Sequence, residues 1–166
     1  MALKVFRAVR ELCDGCRMCE LVCSAKKSGK VNPHLARIKI TRSEKEDHPF
    51  PVICRHCKNP PCQQACPIPQ AMYREQRTGV VIINEAECIS CLACVDACPF
   101  GAIQVGPHRE ILKCDLCGGE PVCVRYCPPR PEHSLPHLPW PKQSCLQYIE
   151  PHKITRNKRM SRGERE

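Results

Sequence analysis

An α+β fold of two small, similar modules built from short strands and helices, followed by a proline-rich C-terminal arm, is what this 166-residue sequence predicts. Three observations carry that expectation. Sixteen of the 17 cysteines fall into four tetrads of closely similar spacing, which is an internal repeat. Aromatic residues make up 4% of the chain and there are 17 prolines, so little large apolar volume remains for an ordinary core once the cysteines are set aside. Between the tetrads lie short β-prone runs bounded by turn residues rather than long amphipathic segments.

The tetrads are Cys13, Cys16, Cys19 and Cys23; Cys54, Cys57, Cys62 and Cys66; Cys88, Cys91, Cys94 and Cys98; and Cys114, Cys117, Cys123 and Cys127. The first and third have the spacing C-x-x-C-x-x-C-x-x-x-C, and three of the four end in Cys-Pro. That spacing suits [4Fe–4S] clusters: three thiolates in a tight loop reach three corners of one cube, and the fourth turns away to a second cube. Proline after the fourth cysteine donates no N–H and holds the preceding residue extended, which helps the chain leave. In tetrads two and four the gap before the third cysteine widens, and it is filled by the turn residues "NPP" and "GGEP". Zinc is the rival metal, but it uses two separated C-x-x-C knuckles and has no need for a third cysteine three residues on. A single redox-active dithiol accounts for one C-x-x-C, not for four tetrads. Tetrads that exchange their fourth ligand work in pairs, and four tetrads can be paired in three ways, which spacing leaves open.

Taken in chain order, residues 1–23 carry tetrad one. The opening "MALKVFRAVRELCDGC" lacks the apolar run of a signal peptide, and Arg7 and Arg10 are not a twin pair. A cytoplasmic, reducing location is therefore expected, with cysteines used for metal rather than for disulfides. No stretch approaches the ~18 consecutive apolar residues of a membrane span. Residues 24–49 are an insertion with seven Lys or Arg against three acidic residues, and "ARIKITR" alternates as a solvent-facing strand of a hairpin. Residues 50–105 hold tetrads two and three, with a short strand expected at Val80 to Ile83 and a second pair of strands around Gly106-Pro107. They form an inner two-cluster module. Residues 106–127 hold tetrad four and would close with residues 1–23 into an outer module. Residues 128–166 are the arm and a basic tail: six of the fourteen residues from Pro128 to Pro141 are proline, which favours an extended segment lying on a surface of the protein or on a partner, with Trp140 as an aromatic anchor. The tail "HKITRNKRMSRGERE" is expected to be mobile.

The stretches "CRHCKNPPCQQACP", "CISCLACVDACPFGAI" and "KCDLCGGEPVCVRYCP" resemble the second, third and fourth motifs of the four-cluster iron–sulfur subunits of the dimethyl-sulfoxide-reductase type, which consist of two bacterial-ferredoxin-like modules. The resemblance covers roughly residues 5 to 128. The opening "CDGCRMCELVCS" and the short loop of tetrad four are closer to the small soluble members, which accompany tungsten or molybdenum aldehyde oxidoreductases, carbon monoxide dehydrogenases and hydrogenases. The resemblance implies a nested ligand assignment. Cys13, Cys16 and Cys19 share a cube with Cys127; Cys114, Cys117 and Cys123 share one with Cys23; Cys54, Cys57 and Cys62 join Cys98; Cys88, Cys91 and Cys94 join Cys66. One departure stands out: Cys23 is followed by Ser24 where a ferredoxin has proline.

Four complete tetrads offer no open iron for substrate, and the chain has neither G-x-G-x-x-G nor room for a dinucleotide fold. These features argue against an enzyme and for electron transfer through four [4Fe–4S] clusters. The resemblance implies a catalytic tungsten or molybdenum pterin subunit as partner, a flavin subunit or ferredoxin as acceptor, and a carbon monoxide dehydrogenase or hydrogenase as the alternative partner. Clusters near both ends would also permit self-association. The formal charge of +9 invites a zinc-dependent nucleic-acid binder as the remote alternative. Four thiolate-held cubes of about −2 each would bring that charge near +1, so no nucleic-acid partner is expected. Arg17, Arg55, Lys113 and Arg125 lie in or beside the ligand loops, where positive charge would favour reduced clusters; Arg55→Glu is expected to lower one potential. His56 reads as a surface residue and Cys145 as a free thiol outside the ligand set.

Overall fold

The computed structural model describes residues 5–42, 48–129 and 144–149. Its elements are short because turn residues interrupt the chain wherever a ligand loop is needed. In order they are β1 (Val5–Ala8), α1 (Met18–Ser28), β2 (Ile38–Arg42), β3 (Pro49–Ile53), α2 (Pro61–Gln64), β4 (Met72–Arg74), β5 (Val81–Ile83), α3 (Ala93–Asp96), β6 (Ile103–Val105), β7 (Ile111–Lys113), α4 (Val122–Arg125) and β8 (Leu146–Ile149). The strands form four antiparallel two-stranded sheets: β1 with β8, β2 with β3, β4 with β5, and β6 with β7. This is the small α+β architecture that the sequence predicts.

The helices pair across the sequence: α1 packs on α4, and α2 on α3. The apolar residues follow the same division. One cluster gathers Leu12, Ile38, Ile53, Leu116 and Leu146 with cysteines of tetrads one and four, and also takes in Cys54. The other gathers Met72, Val81, Ile103 and Ile111 with Cys62 and Cys94. An isolated two-stranded sheet is marginal in water. Here each one leans on helices and sulfurs that its neighbours supply.

α1 is the one long helix among the described residues. It begins after Arg17, which is left-handed at φ 60°, and it stops at Gly29, left-handed at φ 69°, whose amide donates to the Ala25 carbonyl. Lys26 and Lys27 in its last turn suit the negative end of the helix dipole. Pro61 opens α2, where its missing N–H costs nothing. The expected strand at Val80 to Ile83 is β5, and the expected pair around Gly106 is β6 and β7, where the Gly106 amide donates to the Glu110 carbonyl at 2.8 Å.

Three features differ from the sequence expectation. The insertion strand β2 is not solvated on both sides: Ile38 is buried, and the Ile40 amide donates at 2.8 Å to the buried Glu20 carboxylate of α1. β3, which begins the inner segment, is hydrogen-bonded to β2, so the hairpin straddles residues 49 and 50. Within the C-terminal segment, β8 runs back to pair with β1, with Ala8 opposite Leu146 and Val5 opposite Ile149. Trp140 and the basic tail lie outside the described residues.

Candidate metal centres

Four cavities among the described residues are bordered by the tetrad cysteines. The first is lined by Cys13, Cys16, Cys19 and Cys127, with Cys145 as a fifth cysteine beside them. The second has Cys54, Cys57, Cys62 and Cys98. The third has Cys66, Cys88, Cys91 and Cys94. The fourth has Cys23, Cys114, Cys117 and Cys123. All sixteen tetrad cysteines are thus brought together in fours, three from one tetrad and the last from its structural partner. The sulfurs border spaces rather than converging on a point: among the described residues no group of three His, Cys, Asp or Glu side chains is close enough to hold a single ion.

The helices explain how one tetrad serves two cavities. The third cysteine of each tetrad sits on its helix, and the fourth follows four residues, about one helical turn, later. Cys62 and Cys66 therefore border different cavities, as do Cys94 and Cys98, Cys123 and Cys127, and Cys19 and Cys23. In α1 the helix continues through Cys23, so Ser24 occupies a helical position that proline would break. That accounts for the missing Cys-Pro.

The loops between the first two cysteines share one backbone device. Their second residue is left-handed in every tetrad: Gly15 at φ 76°, His56 at 45°, Ser90 at 53° and Leu116 at 53°. A non-glycine residue in that region is strained, by a cost on the order of 1 kcal/mol. The turn points amides at sulfur, with His56 N donating to Cys54 Sγ at 3.5 Å and Leu116 N to Cys114 Sγ at 3.4 Å. Three of the fourth cysteines are also acceptors: Cys23 from Arg37 N at 3.3 Å, Cys98 from Ala102 N at 3.4 Å, and Cys127 from Leu146 N at 3.5 Å. Such N–H to sulfur bonds stabilise sulfur that carries negative charge.

The donor set fits a cationic guest. Burial, reinforced by neighbouring sulfurs and Glu20, pushes the Cys19 thiol up to about 12. Burial pushes Cys114 to about 12, and burial with the nearby sulfurs pushes Cys94 to about 11. Four bare thiolates in one such cavity would repel one another; a bound iron group would take the place of the thiol protons and supply the missing positive charge.

Two residues are placed differently from the sequence reading. His56 is not a surface residue: both ring nitrogens are buried without a hydrogen-bond partner, and it lines the second cavity. Burial, with Lys113 nearby, holds its pKa down to about 3. Its backbone is left-handed, and it borders the same cavity as its neighbours Cys54 and Cys57. Cys145 carries no disulfide but is 3% exposed and borders the first cavity beside its four cysteines, because pairing with β1 carries it there. Its hydrogen bond with Cys13 pulls the Cys13 thiol down to about 6 despite burial, while its own is pushed up.

Of the four basic residues singled out from sequence, Arg17, Arg55 and Arg125 are exposed and Lys113 is buried. Arg55 lies over the Phe100 ring at 4.2 Å, and Arg125 over Tyr126 at 5.9 Å. Arg74 was not foreseen. It donates to the carbonyls of Cys57 at 2.6 Å and Lys58 at 3.0 Å, tying the second ligand loop to β4. Its position, remote from any cysteine in sequence, gave no signal.

Residues 47–132, which carry tetrads two, three and four, match the 4Fe-4S dicluster domain family, and residues 10–26, which carry tetrad one, match a 4Fe-4S binding domain. The chain belongs to the 4Fe-4S dicluster domain family. It is 39% identical over 121 residues to the polyferredoxin-like subunit of an aliphatic sulfonate oxidoreductase from Pyrococcus furiosus, across 69% of this chain and 66% of that one, so it spans just under two thirds of that relative. It is 31% identical over 160 residues to formate hydrogenlyase subunit 2 of Escherichia coli strain K12, across 74% of this chain and 76% of that one. Among solved structures, the BamBC active-site complex of benzoyl coenzyme A reductase contains a chain 22% identical, with a TM-score of 0.47, covering 98% of this chain and 92% of that one. That likeness is too distant to carry an argument.

Proposed function

We propose that this protein is a non-catalytic electron-transfer subunit holding four [4Fe–4S] clusters, one in each cysteine-lined cavity. The observation that carries this reading is the grouping of sixteen cysteines into four cavities joined in a row. α1 and α4 link the first cavity to the fourth, and α2 and α3 link the second to the third. Cys54 of the second and Cys114 of the fourth lie in one buried cluster and feel one another's charge, which joins the two pairs. The order along the row is first, fourth, second, third.

In this reading the ligands are those that the resemblance implies: Cys13, Cys16, Cys19 and Cys127; Cys23, Cys114, Cys117 and Cys123; Cys54, Cys57, Cys62 and Cys98; and Cys66, Cys88, Cys91 and Cys94. A [4Fe–4S] group held by four thiolates supplies reversible one-electron chemistry. The chain's own residues position it and limit water. Left-handed loops aim amides at the sulfurs, and apolar side chains such as Met72, Ile83, Leu92 and Ile111 close the third cavity. The ends of the row are its contacts with other proteins, since Cys16 of the first cavity and Cys91 of the third are exposed, whereas Cys54, Cys62, Cys114 and Cys123 of the middle cavities are buried.

The catalytic partner in this proposal is a tungsten or molybdenum pterin oxidoreductase, with an aldehyde oxidoreductase the specific choice and a flavin subunit or ferredoxin as acceptor, in a reducing cytoplasm. The likeness to a subunit of a sulfonate oxidoreductase supports an oxidoreductase complex. The likeness to a formate hydrogenlyase subunit favours hydrogenase as the second reading. No helix among the described residues is long and apolar enough to cross a membrane. The test is anaerobic purification of the native tagged chain with whatever accompanies it, followed by elemental analysis. Co-purifying tungsten or molybdenum supports the pterin partner; iron with nickel and neither of those metals supports the alternative, a hydrogenase or carbon monoxide dehydrogenase.

A further inference from the structure

The four cavities differ most in charge. Lys113, the last residue of β7, is 4% exposed and lines the second cavity. Its ammonium donates to the carbonyls of Val81 and Cys114, and among the described residues it has no carboxylate within ion-pair reach. A buried, unpaired cation is expensive in a protein interior unless an anion faces it. Here the candidate anion is a thiolate-held cluster, whose four cysteine sulfurs would outweigh its cationic core and leave about −2 net charge.

The other cavities lack this feature. The third is bordered by its cysteines and apolar residues alone, with no charged side chain among the described residues. The fourth has Lys27 and Arg37, but Lys27 is paired with Asp115 at 2.5 Å and Arg37 with Glu85 at 3.1 Å. At the first, the Arg17 side chain is 61% exposed and paired with Glu20 at 3.5 Å, and Asp14 adds negative charge. Among the described residues, only the second of the four cysteine-lined cavities has a buried positive charge with no carboxylate paired to it, and Arg55 borders it in addition.

We infer that Lys113 makes the second-cavity cluster the most easily reduced of the four, an electron store inside the row, and that the third-cavity cluster is the hardest to reduce. The inference rests on the four-cluster reading above. A cluster gains negative charge on reduction, and a fixed cation in a low-dielectric interior stabilises that form more than a solvated one does. An electron entering at the exposed third-cavity end would therefore move downhill at once to the second cavity. It would wait there until a partner draws it on.

The experiment is an EPR-monitored redox titration of the full chain, loaded with clusters, after its iron content has been measured. Lys113→Met removes the charge with little change of volume, Lys113→Gln removes it while keeping a donor for the Val81 carbonyl, and Lys113→Arg keeps it. The expected result is that Met and Gln each lower the most positive of the four midpoints by at least tenfold in the reduction equilibrium, which is 59 mV for one electron. The other three midpoints stay in place and Arg preserves the wild-type value. Fully loaded Met or Gln variants whose highest midpoint is unmoved would overturn the inference. So would a loss of four irons from both neutral variants, since Lys113 would then serve cluster retention. A wild-type chain without iron would instead remove the iron–sulfur reading itself.

Discussion

Replacing Ser24 with proline sets motif reasoning against the structure. A bacterial-ferredoxin pattern has proline after the fourth cysteine, so by pattern alone Ser24→Pro restores the motif and does no harm. In the structure Ser24 is 0% exposed in the interior of α1. Its hydroxyl donates to the Leu21 carbonyl at 2.9 Å and accepts from the Asn32 amide at 3.1 Å, and its own carbonyl accepts from the Ser28 hydroxyl. Proline at an interior helical position removes an intrahelical bond and presses on the carbonyl four residues earlier, at a cost of about 3 kcal/mol or more. That carbonyl belongs to Glu20, whose carboxylate anchors β2 through Ile40. Leaving the Asn32 amide without its acceptor adds about 1–3 kcal/mol. Together these approach the whole stability of a small domain. Because α1 presents Cys19 to the first cavity and Cys23 to the fourth, the Pro variant purified anaerobically should lose two clusters and keep about eight irons. Ser24→Ala, which spares the helix, should keep all of them and melt a few degrees lower. A proline variant with full iron and an unchanged thermal transition would refute the reasoning.

Other substitutions test separate parts of the site. Arg74→Met removes charge-assisted bonds to the Cys57 and Lys58 carbonyls worth about 1.5–3 kcal/mol, so one cluster's iron should leave faster under a chelator while the other three leave at the wild-type rate. Cys145→Ser should keep about sixteen irons while altering the EPR signal of a single cluster, because Cys145 neighbours the first cavity without completing it; a loss of four irons would make it a ligand. Cys127→Ser should disturb the same cluster as Cys13→Ser and a different one from Cys114→Ser, which EPR of the three variants resolves.

Much of the site was legible because ligand spacing is a local property. The tetrads, the β6–β7 hairpin and β5 could be read from neighbouring residues alone. What could not be read depends on contacts distant in sequence. β1 and β8 pair Val5 with Ile149, and nothing in "VFRA" or "LQYI" names the other. Cys145 looked like a surplus thiol on an arm because its place beside Cys13 is created only by that pairing. α1 was hidden by its own cysteines, which occupy positions where an amphipathic helix would show Leu or Ile. The burial of Lys113 contradicts the usual behaviour of lysine at a strand end. It is a local rule broken beside a functional cavity, where such exceptions are expected.

The central claim is that four cavities hold four iron–sulfur cubes. Its most direct test is joint quantification of iron, acid-labile sulfide and zinc on the anaerobically purified chain. About sixteen irons with a matching amount of sulfide and no stoichiometric zinc is the expected result. Zinc in place of iron, or iron without sulfide, would contradict the account.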